Sequence, residues 1–190
     1  MEQDELFSLV VDILERLKIT YLVVGSLASG AYGEPRFTHD IDVVVDINAD
    51  QARTLCAAFP APDFYVSEEA ALDAITHKTQ FNVLHPESGN KVDFMIAKPD
   101  AWGREQVLRR RRVQVLPGQE GFTGAREDII LSKMLYYAEA GSEKHLRDIA
   151  GILRVSGELV DRDYVQRWAD DLGVADVWLR IRQRLGEAPQ

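Results

Sequence analysis

The sequence has 190 residues, of which 46% are hydrophobic, and its 22 basic and 31 acidic side chains give a formal net charge of −9. This composition is typical of a folded globular protein and excludes disordered and collagen-like chains. The negative charge argues against a protein that coats nucleic acid through many phosphate contacts.

Targeting and membrane segments are not expected. No stretch approaches the roughly 20 apolar residues that cross a bilayer. The first residues, MEQDELFSLVVDILERLK, are acidic and amphipathic, unlike the basic start of a signal peptide. We expect a cytoplasmic protein with no membrane partner.

The first elements are a helix and a strand that ends at a glycine. Residues 3–18 repeat apolar positions at helical spacing and predict an amphipathic helix. Residues 20–24 predict a short strand that Gly25 stops, and the small residues of 26–33 favour a turn and a short helix packed close to a strand.

The next elements predict a central strand and two capped helices. Residues 40–46, DIDVVVD, become a continuous apolar run, as in a strand covered on both faces. Asn48 and Ser67 are good N-caps, and each precedes a predicted helix, the second ending near His77.

A hairpin and a connector are predicted for the middle of the chain. The segment HPESGN separates two strand patterns, at 79–84 and 91–97, and predicts an antiparallel hairpin. A helix follows through about Arg110, then an edge strand at 113–116. We interpret LPGQEGFTGA, residues 116–125, as a connector because it is rich in Pro and Gly.

From Arg126 onward the patterns are helical only, in four successive segments. The predicted fold class is therefore α/β (α+β), with a small mixed sheet flanked by helices. We expect a catalytic core at 1–118, a helical C-terminal part at 119–190, and an active cleft between them.

Two acids begin the central strand. Asp40 and Asp42 are two residues apart, so their side chains point to the same face. Two converging carboxylates repel each other unless a cation lies between them, and Mg²⁺ prefers oxygen ligands. The pair therefore predicts a metal site.

A third acid, Asp93, lies in the strand KVDFMIA. If this strand lies beside 40–46, three carboxylates converge, which is enough for a site with two metal ions that acts on phosphoryl groups. Asp93 is then also the natural proton acceptor for an attacking hydroxyl. The alternative is that Asp93 only pairs with Lys91 or Arg36.

The segment Gly25-Ser26 predicts a phosphate site. A glycine at a strand end, followed by Ser and a helix start, offers backbone N–H groups, a hydroxyl and the positive end of a helix dipole to an anion.

Together, V-G-S-L-A-S and, thirteen residues after Ser26, D-I-D-V-V-V resemble the nucleotidyltransferase superfamily of DNA polymerase beta. The segment from Gly25 to Asp42 also resembles the abortive-infection toxin branch, whose members often carry Arg-x-Thr before the acids, here Arg36 and Thr38. Similar proteins carry a Lys in the first C-terminal helix and an Asp in the next.

The resemblance implies a role for each matching residue. Gly25 and Ser26 would hold the triphosphate, Asp40 and Asp42 would hold Mg²⁺, and Asp93 would complete a second metal site, with Mn²⁺ as an alternative ion. Three further residues belong to the predicted nucleotide site: Arg36, Lys133 and Asp148. For these three, an ordinary salt bridge or a lysine extending from an apolar helix face is an open alternative.

The predicted function is transfer of a nucleoside monophosphate from an NTP to a hydroxyl of tRNA or other RNA, protein or a small molecule. The resemblance adds a possible toxin or antitoxin partner protein. Two alternatives stay open: a non-catalytic nucleotide-binding module on the same fold, and an aminoglycoside-type enzyme, whose cationic acceptors would suit an acidic surface.

Overall fold

The computed structural model describes residues 1–36 and 38–186. These residues form seven strands and nine α-helices. The strands are β1 (Thr20–Val23), β2 (Asp40–Asp46), β3 (Tyr65–Val66), β4 (Gln80–Leu84), β5 (Lys91–Ile96), β6 (Arg111–Leu116) and β7 (Gln119–Thr123). The helices are α1 (Gln3–Arg16), α2 (Gly25–Tyr32), α3 (Ala49–Ala57), α4 (Glu68–His77), α5 (Ala101–Leu108), α6 (Arg126–Ala140), α7 (Glu143–Ser156), α8 (Arg162–Asp171) and α9 (Ala175–Arg184). None of these described helices is both long and apolar enough to span a membrane.

All seven strands belong to one mixed sheet, in the order β3-β4-β5-β2-β1-β7-β6. Strands β4 and β5 form the predicted antiparallel hairpin, and β5 lies parallel to β2. The predicted caps are present, since Asn48 accepts from the Gln51 amide at 3.0 Å and Ser67 accepts from the Ala70 amide at 3.1 Å. The predicted α/β class is confirmed.

The connector predicted at 116–125 is wrong. Residues 119–123 form β7, which pairs antiparallel with β6 and parallel with β1. Pro117 and Gly118 form only the turn between β6 and β7, where Gly118 has φ +72°. The expected boundary after residue 118 falls inside this hairpin, and the division into a core and a helical part stays a prediction.

The two faces of the sheet contact different hydrophobic clusters. Alternate residues of β2, Ile41, Val43 and Val45, are buried in a cluster with helices α1, α3 and α4. A second cluster joins α2 with helices α6 to α9 around Trp178, which is fully buried. Because strand side chains alternate, Asp40 and Asp42 point away from the first cluster, to the side of the second.

Helices α2 and α7 meet at their backbones. A Cβ added to Gly33, just after α2, would lie 2.6 Å from the Ile152 nitrogen and 2.7 Å from the Gly151 carbonyl carbon of α7. The Ser156 hydroxyl also donates to the Tyr32 carbonyl at 2.8 Å. Since no side chain separates the two segments, α7 is held at a fixed distance from α2.

Candidate active site

Four charged side chains share one face where β2 and β5 begin. The parallel register places Asp42 beside Asp93 and Asp40 beside Lys91. Neighbouring residues of paired strands point to the same side of the sheet, so the three acids and the lysine emerge together. The predicted placement of Asp40, Asp42 and Asp93 on one face of two neighbouring strands is present.

Lys91 connects two of the acids. Its Nζ lies 2.8 Å from Oδ2 of Asp93 and 3.6 Å from Oδ1 of Asp40. The hydrogen bond to Asp93 raises the pKa of Lys91, so its charge is retained. The other Asp93 oxygen, Oδ1, is buried and has no hydrogen-bond partner among the described residues. Lys91 therefore offsets the charge of Asp93, and within the described part of the chain Oδ1 of Asp93 is left without a hydrogen-bond donor.

The surroundings of Asp42 disfavour its negative charge. Burial raises the pKa of Asp42, and the charges of Asp93 and Asp40 raise it further, whereas Lys133 and Lys91 lower it. An ionised Asp42 therefore has an energetic cost that an added cation would offset.

Gly25 lets the start of α2 approach Asp42. Its φ is +64°, and a Cβ at this position would lie only 1.9 Å from Oδ2 of Asp42. The Val24 amide donates to the Asp42 carbonyl at 2.9 Å, which fixes the strand against the helix start. The first amides of a helix lack partners within the helix. The first amides and the dipole of α2 would thus favour an anion beside the acids.

A cationic cluster faces the same helix start. The Arg36 guanidinium donates to the Ser26 hydroxyl and, through Nε, to Oδ1 of Asp148 at 3.1 Å. The Lys133 ammonium donates to Oδ2 of Asp148 at 2.6 Å. Asp148 therefore holds two cations beside Ser26.

The ion pair of Lys133 and Asp148 lies in a dry environment. The Lys133 side chain is only 4% exposed, and burial lowers its pKa even though Asp148 opposes this shift. Burial also acts to raise the pKa of Asp148, but the hydrogen bond and charge of Lys133 outweigh it and lower that pKa overall. Desolvation decides the shift for the lysine, and ion pairing decides it for the acid.

The acids offer a metal ion part of a coordination shell. Within residues 1–36 and 38–186, no group of three or more His, Cys, Asp or Glu side chains is arranged so that it could hold a metal ion. Mg²⁺ in proteins is commonly bound through one or two carboxylates together with waters and substrate phosphates. Asp40, Asp42 and the unpartnered oxygen of Asp93 fit that donor chemistry once a nucleotide supplies its phosphates.

No family model and no curated protein matches the chain. Solved structures do match. The chain is similar to the antibiotic-resistance factor ANT(2'')-Ia, with a TM-score of 0.62 and 12% identity over 96% of this chain and 97% of the other. It is also similar to the lincosamide antibiotic adenylyltransferase LnuA, with a TM-score of 0.56 and 13% identity over 82% and 99% of the two chains. An antigenic nucleotidyltransferase-like protein from Paracoccidioides brasiliensis gives a TM-score of 0.53 and 22% identity over 81% and 78%.

The chain has the nucleotidyltransferase fold. At these identities the likeness concerns the fold, so each residue's role depends on the geometry of this chain. The nucleotidyltransferase fold brings together the predicted site residues: Gly25, Ser26, Arg36, Asp40, Asp42, Asp93, Lys133 and Asp148. Their roles in catalysis and binding stay predictions.

Several residues around the cleft had not been predicted. A cavity of about 270 Å³ contains Ser26 and Asp42 and is also lined by Gln80, Tyr136 and His145. Tyr136 follows Lys133 by three residues, so helical spacing could have placed it on the same face. Gln80 and His145 belong to segments that only the tertiary fold brings to the cleft.

Proposed function

We propose that this protein is a Mg²⁺-dependent nucleotidyltransferase that moves a nucleoside monophosphate from an NTP to a hydroxyl acceptor. One observation supports this most directly. The acids of β2 and β5 share one face, and Gly25 brings the N-terminus of α2 into contact with Asp42. An anion site and a carboxylate pair are thereby adjacent, as phosphoryl transfer requires.

The phosphate side of the site binds and orients the triphosphate. The helix start at Gly25 and Ser26 offers amides and a hydroxyl, while Arg36 and Lys133 add positive charge. Asp148 positions both cations, because it accepts from each of them. This arrangement fixes the nucleotide before reaction, and such positioning supplies much of the rate in phosphoryl transfer.

The acid side of the site serves the reacting atoms. Asp40 and Asp42 would hold Mg²⁺, which when bound neutralises phosphate charge and orients the phosphate oxygens. Asp93 accepts the proton of the attacking hydroxyl through its unpartnered oxygen. The acceptor oxygen then bonds to the α-phosphorus, the bond to the β-phosphate oxygen breaks, and pyrophosphate leaves with its electron pair.

The proposed acceptors are RNA, protein or a small molecule. The structure of LnuA contains lincomycin, and one structure of ANT(2'')-Ia contains adenylyl-2''-tobramycin. These neighbours favour a small-molecule acceptor for this chain. Because the sequence resembles toxin-type nucleotidyltransferases, we also propose that the protein has a partner protein in a toxin–antitoxin pair.

A second candidate function is nucleotide binding without turnover. The contact of Lys91 with Asp93 favours it, since a permanently neutralised Asp93 would be a poor proton acceptor. The two functions differ in one result, which is whether nucleotide is consumed.

The test compares wild type with Asp42→Asn and with Asp46→Asn. Asp46 is the exposed last residue of the same strand, so its variant controls for a changed charge on β2. Each protein is incubated with one α-labelled NTP, Mg²⁺ and tRNA, cell protein or an antibiotic panel. We expect label transfer and pyrophosphate release from wild type and Asp46→Asn, and neither from Asp42→Asn. Tight NTP binding without turnover in all three proteins would contradict the proposed enzyme activity and favour nucleotide binding without catalysis.

A further inference from the structure

A second cavity, of about 470 Å³, extends from the cleft between the sheet and helices α5 and α6. We call it the rear cavity. Its walls include Leu22, Val44, Trp102, Gln106, Ser132 and Leu172. It shares Gly25 and Lys133 with the phosphate side of the cleft, so the two spaces adjoin. Its volume is within the range of small-ligand pockets, roughly 300–1,000 Å³.

We propose that the rear cavity binds the nucleobase of the NTP and prefers adenine. This proposal rests on the proposed function, because it assigns a part of the same substrate. It concerns the base, whereas the residues discussed above concern the phosphates and the transferred group.

The direction of the cavity supports its assignment to the base, because the triphosphate and the base lie at opposite ends of a nucleotide. Its triphosphate lies at Ser26 and Lys133, and its nucleoside must extend away from the α-phosphate. The rear cavity begins at Gly25 and Lys133 and continues over Val44, one step further into the sheet than Asp42.

The acceptor has a different path. Asn82 of β4 pairs with Asp93, and Gln80 pairs with Met95. Both β4 side chains are exposed and alternate with the buried Phe81 and Val83. They therefore lie on the same face as Asp93 and form an open polar surface beside the proton acceptor. An acceptor can approach from this side while the base occupies the enclosed one.

Most of the walls suit a flat, uncharged ring, and the charged residues that also line the cavity are Lys98, Lys133 and Glu139. Trp102 is 8% exposed and packs against Trp168 with ring centroids 4.9 Å apart. Leu22, Val44 and Leu172 are apolar, so a base that enters gains by leaving water. A polycationic antibiotic would gain little from these walls, because few acids line them.

One pair of polar side chains in the cavity can recognise the edge of a base by hydrogen bonds. The Ser132 hydroxyl donates to Oε1 of Gln106 at 3.2 Å, which fixes the amide of Gln106. The Gln106 amide nitrogen is then directed to donate, and Oε1 retains a second lone pair. A glutamine amide matches the adjacent donor and acceptor of adenine, whereas guanine presents two acceptors at the same edge.

The experiment measures nucleotide affinity by calorimetry with non-hydrolysable analogues of ATP and GTP. Wild type is compared with Gln106→Leu and with Gln114→Leu, which removes an exposed glutamine from β6. We expect wild type and Gln114→Leu to prefer the ATP analogue by roughly 5- to 150-fold, the range of a bidentate base contact. In Gln106→Leu the ratio of the two dissociation constants should fall toward one.

A fluorescence measurement locates the base independently. The ATP analogue should change the tryptophan emission of wild type, and Trp102→Phe should lose most of this change while calorimetry still detects binding. An unchanged ATP-to-GTP ratio in Gln106→Leu, with emission insensitive to Trp102, would overturn the base assignment and leave the proposed transfer intact. Failure of wild type to bind any NTP would overturn both proposals.

A different observation supports a second proposal, concerning Lys91. The register fixes Lys91 beside Asp40, and it lies two residues before Asp93 on the same strand face. Its ammonium contacts both acids, at 3.6 Å and 2.8 Å. The backbone alone therefore places a cation where carboxylates of the two strands would share a metal.

We infer that Lys91 replaces one of the two metal ions expected from the sequence, so that the site binds one divalent ion per nucleotide. Lys91 is thus a positioning residue that holds Asp93 and offsets its charge. Asp40 and Asp42 remain for the single ion, together with the nucleotide phosphates.

The test counts bound Mn²⁺ by electron paramagnetic resonance in the presence of the α,β-methylene analogue of ATP. We expect one ion per chain in wild type and a second, weaker one in Lys91→Met. Arg53→Met is the matched control, because it removes one positive charge from the surface pair with Asp50 and should still bind one ion. Two ions in wild type, or one in all three proteins, would overturn the inference.

Discussion

Substitution of Gly25 by alanine tests the contact between α2 and the acids. The new Cβ would lie 1.9 Å from Oδ2 and 2.7 Å from Cγ of Asp42, whereas real Cβ contacts are essentially never below 3.0 Å. The carboxylate must therefore move by about 1 Å, a displacement that can cost on the order of 100-fold in rate. The positive φ adds about 1–2 kcal/mol of backbone strain.

We expect Gly25→Ala to lower kcat/KM for nucleotidyl transfer at least about 100-fold. The free energy of unfolding should fall by roughly 1–3 kcal/mol, and each kcal/mol lost should lower Tm by about 2–4 °C. Gly141→Ala is the matched control, because Gly141 has φ +67° but open space around its Cβ position. It shares the backbone strain, so it should lose some thermal stability and no activity.

The two variants are compared by pyrophosphate release and by thermal melting. If Gly25→Ala keeps its activity within a few-fold of wild type, the contact between Gly25 and Asp42 does not position the acid. If Gly141→Ala loses as much activity as Gly25→Ala, general destabilisation explains the loss and the argument from the contact fails.

Three further predictions concern the charged residues. Asp42→Asn should abolish transfer yet raise Tm at pH 7. The raised pKa of Asp42 means that its ionisation destabilises the folded state; this cost is full above that pKa and disappears as the pH falls below about 4. The Tm values of wild type and Asp42→Asn, measured from pH 4 to 8, should therefore converge at the acid end. Lys133→Met leaves the buried Asp148 with fewer partners and should lower the free energy of unfolding, measured with urea, by about 3 kcal/mol. The double variant Lys133→Met/Asp148→Leu should recover this stability but not the activity. Equal stability of wild type and both variants would contradict a buried ion pair. Burial raises the pKa of Asp128 from 3.8 to about 6 against the opposing charge of Arg109. A raised carboxyl pKa means that the folded state binds the proton more tightly. Wild-type stability relative to Asp128→Asn should therefore fall by roughly 3 kcal/mol in total as the pH rises from well below 4 to well above 6, and a constant difference would refute this.

The acids could be located from sequence because short-range rules place them. Alternation along β2 puts Asp40 and Asp42 on one face wherever the strand lies in the sheet. Gly25 likewise marks the end of β1 by its local pattern. Asp93 needed one further step, which was the identity of the neighbouring strand. The hydrophobic run of β2 favoured a covered central position for that strand, but the place of β5 beside it was only a condition of the prediction.

Other parts of the site depend on contacts distant in sequence. Strand β7 was missed because its Gly and polar residues hide the alternation, and its place is set by pairing with β1, about a hundred residues earlier. Lys91 was read only as an alternative partner of Asp93, since its contact with Asp40 depends on the register between strands. The rear cavity combines β1, β2, α5, α6 and Leu172, which no local pattern connects.

The tetrapeptide Arg109–Arg112 shows the same limit. Helix α5 ends at Leu108, two residues before the predicted end near Arg110, and Arg111 and Arg112 are the first residues of β6. Arg109 contacts Glu127 at 2.8 Å and Asp128 at 3.3 Å, two acids that are buried at the start of α6. A run of charge that the sequence presents as one feature is divided between a buried ion pair and an edge strand.

Because Gly33 contacts the backbone of Gly151 and Ile152 closely, a substitution outside the cleft can change the width of the cleft. Gly33 lies outside the cleft, yet any side chain there would act as a wedge between α2 and α7. Since α2 carries Ser26 and α7 carries Asp148, such a wedge would widen the phosphate-binding gap without altering a single group that touches the nucleotide. Substitution of Gly33 by a larger residue should therefore weaken nucleotide binding, although residue 33 lies outside the binding site.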